Sequence, residues 1–321
     1  MTVPPNDERG FALFLTVAFV GLLAAATLNF NVSMRGELTS AVSFRDGHRL
    51  KAAARSGVDL AMAVLHEKAL AGGPHSLLDH WADSVSMTSL LESMFEDISA
   101  ELIVSDVSGK INVNSLTSAA GAVNRRYRDL MARFLSFEDF GLEADEIEDI
   151  LDALAERLGR DGEASPCRAQ NYRCFGMPGP MRCVSDLLAV RGITPGVFHG
   201  TDHSPGIASF LTVHGEGPVN INTAHPIVLR SLSSVMDFHM AGRMADYREN
   251  ESADLSDPAW YRHVPGMKDV RLEPAVASIF SSHFEIFSAV GNGGRPVEVS
   301  AVVRKSAGSV SIVSWKTGEN F

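Results

Sequence analysis

ERGFALFLTVAFVGLLAAATLNFNVSM, residues 8–34, decides how the chain is read. From Phe11 to Met34 there is no charged side chain, and Phe11–Phe30 makes about 30 Å of helix at roughly 1.5 Å per residue, the thickness of a bilayer core. A secretory signal peptide is one rival. Its apolar region runs about 7–15 residues and ends in a small-residue cleavage site. Here the run is longer, and its sharpest boundary lies before it, where polar MTVPPNDERG (1–10) meets Phe11. A buried core helix is the plainer alternative, but such helices seldom go this far without a charged face. The stretch therefore predicts a membrane helix with the bulk of the chain folded outside.

Outward from that helix, the composition is that of a globular protein: 321 residues, 45% hydrophobic and 21% charged. The net charge of -11 is concentrated. Residues 138–163 hold eleven Asp or Glu against two Arg, and the rest is close to neutral. Such a balance argues against a nucleic-acid partner, which wants clustered Lys and Arg.

Residues 35–70 lack proline and repeat Val58, Ala61, Val64 and Leu65 at helical spacing, so they continue the helix until AGGP (71–74) stops it. Two separate helices are the alternative. AELIVSDVSGKINVN (100–114) predicts a strand, a turn at Ser108-Gly109 and a second strand. Residues 117–135 and 143–158 predict helices, the second with Ile147, Ile150, Leu151, Leu154 and Leu158 on one face and acids on the other. Residues 160–183 form a loop, 184–200 a helix and 217–222 a strand. Helices follow to about 282, and the chain ends in strands at 284–290, 296–305 and 309–315. This order predicts an α+β fold interrupted by a helical insertion. INVNSL (111–116) echoes VNINTA (219–224). Each is a strand ending in Asn-x-Asn and then Ser or Thr, a helix N-cap residue. The echo reads as two related junctions, or as coincidence over six residues.

The junction Glu8-Arg9-Gly10-Phe11 resembles the type IV prepilin leader, a short polar peptide ending in Gly before Phe and an apolar helix. The resemblance implies a cut between Gly10 and Phe11 by a prepilin peptidase and methylation of the new N-terminus. Most pilins carry Glu at the fifth residue after the cut, where it pairs with the free amine of the subunit ahead. Here that residue is Leu15. A carboxylate in lipid is costly unless paired, so Leu15 suggests a subunit with nothing ahead of it. Charge bias alone opposes this orientation, because Arg9 precedes the span while Arg35, Arg45, Arg49, Lys51 and Arg55 follow it.

DVSGKINVNSL (106–116), EIEDILDALAERL (146–158), PMRCVSDLLAVRGITPGVF (180–198), VNINTAHPIVLRSL (219–232) and the last strands together resemble the K class of minor pseudopilins of type II secretion systems. The Trp-Ile-Asp segment usual after the acidic helix is absent, and Leu158 to Gly162 stand there. The resemblance implies a long pilin helix and a small antiparallel-sheet pseudopilin domain with a large all-α insertion, SAM-like or helix-hairpin-helix-like. Its expected boundaries are a leader at 1–10, a transmembrane helix at 11–34 and the helix extension with the first part of the α/β domain at 35–116. A first SAM-like segment follows at 117–216, a second at 217–282 and the last strands at 283–321. It also implies a non-enzymatic tip subunit in the bacterial inner membrane, with its C-terminal domain in the periplasm. The implied partners are the other minor pseudopilins, the major pseudopilin and the prepilin peptidase.

Other chemistry is thin. LAVRGITPGVF (188–198) and HVPGM (263–267) resemble helix-hairpin-helix turns, but basic residues are sparse and a structural hairpin is the simpler reading. His66-Glu67 begins a zinc-protease string that fails at Leu70. His199 and His203 have ligand spacing without an evident third ligand. Asp106, Ser108, Asn112 and Asn114 set oxygens around a turn, the donor type calcium takes. The resemblance makes calcium in the α/β domain an expectation, and turn and cap hydrogen bonds are the plainer reading of the four. There is no phosphate loop and no G-x-S-x-G elbow, so no enzyme is expected. Cys167, Cys174 and Cys183 fit an oxidising exterior. One disulfide with one free thiol is the simplest arrangement, and Cys167–Cys174 closes the shortest loop, though three pairings are open.

Overall fold

No proline falls between Glu8 and Ala71, and the chain forms one 64-residue helix there, α1 (Glu8–Ala71). The structure, a computed structural model, describes residues 8–95, 97–118, 121–159, 179–201, 204–250 and 252–318. The helix is continuous, not two helices, and it ends at AGGP. Gly72 and Gly73 take φ of 70° and 84°, and the Gly72 N–H donates to the Lys68 carbonyl at 3.0 Å, a left-handed helix cap.

Contacts divide the chain into two compact units, Met1–Ala53 and Ala54–Phe321. The described part of the first is helix alone. Its apolar side chains from Phe11 to Phe44 are exposed, while Thr16 and Thr27 hydroxyls donate to the carbonyls of Leu13 (2.8 Å) and Leu23 (2.5 Å). Polar groups satisfied within their own helix are what a lipid environment demands.

In the second unit, α1 buries Ala54, Val58, Ala61 and Leu65, a stripe at three- and four-residue spacing. Next comes α2 (Ser84–Ser93), capped by Asp83, whose side chain accepts from the Ser86 N–H at 3.0 Å. β1 (Ser99–Asp106) follows. α2 covers the outer edge of β1: Thr88 Oγ1 accepts from the Leu102 N–H at 3.0 Å, and Glu92 Oε1 from the Ala100 N–H at 2.9 Å.

The chain then leaves the sheet through a 3-10 turn at Val107–Gly109. The insertion comprises β2 (Ile111–Asn112), α3 (Arg125–Leu135), α4 (Ala144–Gly159), α5 (Pro195–His199), a small pair β3 (Gly200–Thr201) and β4 (Ser204–Pro205), β5 (Leu211–Thr212), β6 (Val219–Asn220), α6 (Pro226–Ser231), α7 (Phe238–Arg248) and β7 (Ala277–Ser278). It returns to β8 (His283–Gly291), β9 (Val297–Ser306) and β10 (Ser309–Thr317). The sheet order is β1-β8-β9-β10, antiparallel throughout, with Asp106 opposite Phe284 and a bulge at Ile312/Ser314 in β10.

Several expectations need correction. The strand after Ser108-Gly109 does not pair with β1; β2 is two residues long and pairs in parallel with β5. The expected strand at 217–222 shrinks to β6, parallel to β7. The insertion is therefore not all-α. The helix expected from 117 starts at Arg125. The stretch 184–200 splits into a 3-10 segment (Val184–Ala189) and α5, separated at Gly192, whose φ is 93°. An added Cβ there would lie 2.6 Å from Ile150 Cγ1, so α4 closes against bare backbone.

The insertion has a hydrophobic core of its own, in which Leu130, Phe134, Ile150, Leu211, Val228 and Trp260 belong to one cluster. The sheet builds another: Leu102, Phe284, Ile286, Ala301 and Val303 are buried, and Trp81 meets Phe284 edge to face at 5.1 Å.

Candidate functional site

The two Asn-x-Asn segments fold alike. Asn112 Oδ1 accepts from the Asn114 N–H at 3.0 Å, and Asn220 Oδ1 from the Asn222 N–H at 2.9 Å. Each is an Asx-turn at the end of a two-residue strand that pairs in parallel with a return strand. The second Asn of each pair then reaches across its own unit. Asn114 Nδ2 donates to the carbonyls of Met181 and Val213, both at 2.9 Å. Asn222 Nδ2 donates to Leu255 O, while Asn222 Oδ1 accepts from Trp260 Nε1 at 2.7 Å. The expected caps are corrected: Asn112 caps the following 3-10 turn, and the N-cap of α6 is His225, not the Thr of the motif.

That Thr has another partner. Thr223 Oγ1 donates to Asp106 Oδ2 at 2.5 Å. The same oxygen accepts from Ser281 Oγ at 2.5 Å and Asn220 Nδ2 at 3.1 Å, and Oδ1 accepts from the Ser108 N–H at 2.8 Å. Burial pushes the Asp106 carboxyl above its usual range, while these four donors pull the other way. The carboxylate ties the end of β1 to β6 and to the segment entering β8.

One layer out lies His75, buried in the loop after α1. Its Nδ1 accepts from the Ser281 N–H at 3.2 Å, its carbonyl accepts from Asn220 Nδ2 at 3.1 Å, and its Nε2 stands 2.7 Å from Lys305 Nζ. Burial, with Lys305 and Lys68 nearby, lowers the His75 pKa to about 4. Lys68 is paired with Asp79 at 2.7 Å, and burial and Lys68 lower Lys305 as well.

These contacts decide how the four calcium candidates stand. Asp106 has both oxygens taken by protein donors. Ser108 Oγ accepts from the Ser282 N–H at 3.1 Å, Asn112 Oδ1 from Asn114, and Asn114 Oδ1 from the Met181 N–H at 2.8 Å. Asp106 and Ser108 serve the second junction, Asn112 and Asn114 the first. With one carboxylate, the four residues divided between two junctions and each oxygen already accepting a protein donor, this donor set does not fit an ion that takes six to eight oxygens. Among the described residues no group of three or more His, Cys, Asp or Glu could hold a metal ion. His75 and Ser281 escape sequence reading because they lie far from Asp106 along the chain, and Thr223 reads there as a helix N-cap. Only the Asn-x-Asn echo, which contains Asn220, pointed toward them.

At the N-terminus, Gly10 lies in the first turns of α1, and Phe11 and Leu15 are exposed. Near the N-terminus α1 reaches a mean hydropathy of 2.4, and by length and composition it is long and apolar enough to cross a membrane. Cys167, Cys174 and His203 fall outside the described residues. Cys183 is a free, half-buried thiol that accepts from Ser185 Oγ at 3.1 Å. In the hairpin turns, the Ile193 N–H donates to Val190 O at 3.2 Å and the Met267 N–H to Val264 O at 3.0 Å, with Gly192 and Gly266 at positive φ.

No protein-family model and no curated protein matches the chain. Among solved structures, a chain in the crystal structure of the GspK-GspI-GspJ complex from the enterotoxigenic Escherichia coli type 2 secretion system matches with a TM-score of 0.63 and 14% identity. The match covers 87% of this chain and 99% of that one. At such identity the likeness is one of fold, and the matched chain shares the α+β fold of this one.

Proposed function

We propose that the chain is a minor pseudopilin of the K class, a non-enzymatic subunit at the tip of a type II secretion pseudopilus. The observation that carries this reading is the near-complete fold match to a chain of the GspK-GspI-GspJ complex, joined to a long helix whose uncharged stretch begins at Gly10-Phe11. The leader is cut after Gly10 by a prepilin peptidase, Phe11 becomes the methylated N-terminus, and α1 anchors the subunit in the inner membrane with its folded part in the periplasm. Leu15 supports the tip position, because a subunit with none ahead has no amine for a Glu to meet. The partners are the other minor pseudopilins, with the major pseudopilin below. No step here needs an active site, and Asp106 and His75 serve the fold.

Mass spectrometry of the mature N-terminus tests the reading. A chain beginning at N-methylated Phe11 is the expected product, and Gly10→Val should leave the leader attached. An intact Met1, or a cut well beyond residue 11, would rule it out. Co-purification of the mature chain with candidate minor pseudopilins tests the assembly role separately.

A further inference from the structure

Between the sheet and the insertion lies a cavity of about 300 Å³. Glu285, Ser300 and Lys316, from β8, β9 and β10, line one side; Lys110, Arg182 and Phe198 from the insertion line the other. Three cations meet one anion there, in a chain whose net charge is -11. Among the described residues none of the three cations forms an ion pair; Lys110 is half-buried, while Arg182 and Lys316 are exposed at the mouth of the cleft. Glu285 accepts from Ser300 Oγ at 3.2 Å. Burial lowers the pKa of His214 at the same cleft, where Glu285 and Lys316 act in opposite senses. A partly desolvated cation without a counter-charge favours an anionic ligand.

We propose that this cleft binds an acidic peptide segment of a partner protein, its carboxylates held by Lys110, Arg182 and Lys316. Two features favour a peptide over a small anion or a lipid surface. The site is concave and mixes hydroxyls and apolar walls with its charges, which suits alternating side chains and not a flat layer of headgroups. It also adjoins an open sheet edge. β10 is the last strand of its sheet and supplies both Ser314 and Lys316 to the cavity, whereas the opposite edge, β1, is covered by Thr88 and Glu92 of α2. An extended segment pairing with β10 would gain main-chain hydrogen bonds while its acidic side chains enter the cleft.

Fluorescence anisotropy on the full chain in neutral detergent micelles tests this. The probe is a labelled peptide of alternating Glu and Val; its Gln-Val counterpart, inorganic phosphate and micelles doped with anionic phospholipid are the comparisons. The Glu peptide should bind about tenfold or more tighter than the Gln peptide, and weaken as salt rises. The double variant Lys110→Gln/Lys316→Gln should lose about tenfold in affinity at an unchanged melting temperature, as should Arg182→Gln alone. Lys268→Gln, an exposed lysine away from the cleft, should bind as the parent does. Equal binding of the Gln peptide, indifference to both cleft variants, or displacement of the Glu peptide by phosphate or anionic lipid at matching concentrations would overturn the proposal. No secretion component enters the measurement, so its failure is distinct from failure of the pseudopilin reading.

Discussion

Asp106 and His75 meet through Ser281 and Asn220, and their titrations pull stability in opposite directions. His75 Nδ1 accepts a backbone N–H, so a doubly protonated ring would lose that bond and set a second positive charge against Lys305. Protonation is therefore harder in the folded chain, where the pKa is about 4, than in the unfolded one, where it is 6.5. Between those values the unfolded state takes up the proton first, and stability falls as the pH drops. Burial lowers His214, His225 and His283 in the same sense. Asp106 opposes them: its raised pKa makes stability fall as the pH rises through its folded value. Comparison with His75→Gln isolates the first effect. The melting temperature of the full chain in detergent should fall less between pH 6.5 and 4 in His75→Gln than in the parent. Equal slopes would mean that His75 is not held neutral by the fold.

At the scale of elements, α1 and β8 fit closely. A Cβ added at Gly57 would lie 2.5 Å from Ser288 Oγ and 2.9 Å from Leu91 Cδ2, and that buried hydroxyl has no hydrogen-bond partner among the described residues. Gly57→Ala should therefore destabilise by about 1–3 kcal/mol through overpacking. Ser288→Ala should be near neutral, since it removes an orphaned polar group. The double variant should recover part of the loss, leaving the Leu91 contact. Chemical denaturation of the four proteins gives the coupling, and additive losses would place the strain elsewhere. α1 and the terminal strands were legible in the sequence because their periods repeat over many residues. β5 and β7 were not, since two residues show no period and their partners lie far along the chain, and β2 and β6 were legible only as longer strands. The split of 184–200 turned on Gly192, a single left-handed residue inside an otherwise helical pattern. The candidate site was half legible: Asp106 was singled out, but as a ligand, because the Asn-x-Asn echo marks Asn220 and Thr223 only as a turn and a cap, and no local pattern announces Ser281.

At the scale of the molecule, the insertion is more than half of the chain, yet it leaves and re-enters the sheet at one place. Asp106 faces Phe284 in the register, so the strands on either side of it already pair. The insertion carries its own hydrophobic cluster, and α1 with the sheet carries another. A short turn of about two to five residues could then replace 107–282 and leave β1 and β8 as a hairpin. The shortened chain should keep a cooperative melt with a lower midpoint, because the Asp106 network goes with the insertion. Under the pseudopilin reading it also separates the two arguments for the tip, bulk and Leu15. A large insertion hinders stacking of subunits within a filament. If bulk alone confines the subunit, immunogold labelling should move from one filament end to positions along the filament when the insertion is removed. Labelling that stays at one end would assign the confinement to the N-terminal helix, and Leu15→Glu in the shortened chain should then release it.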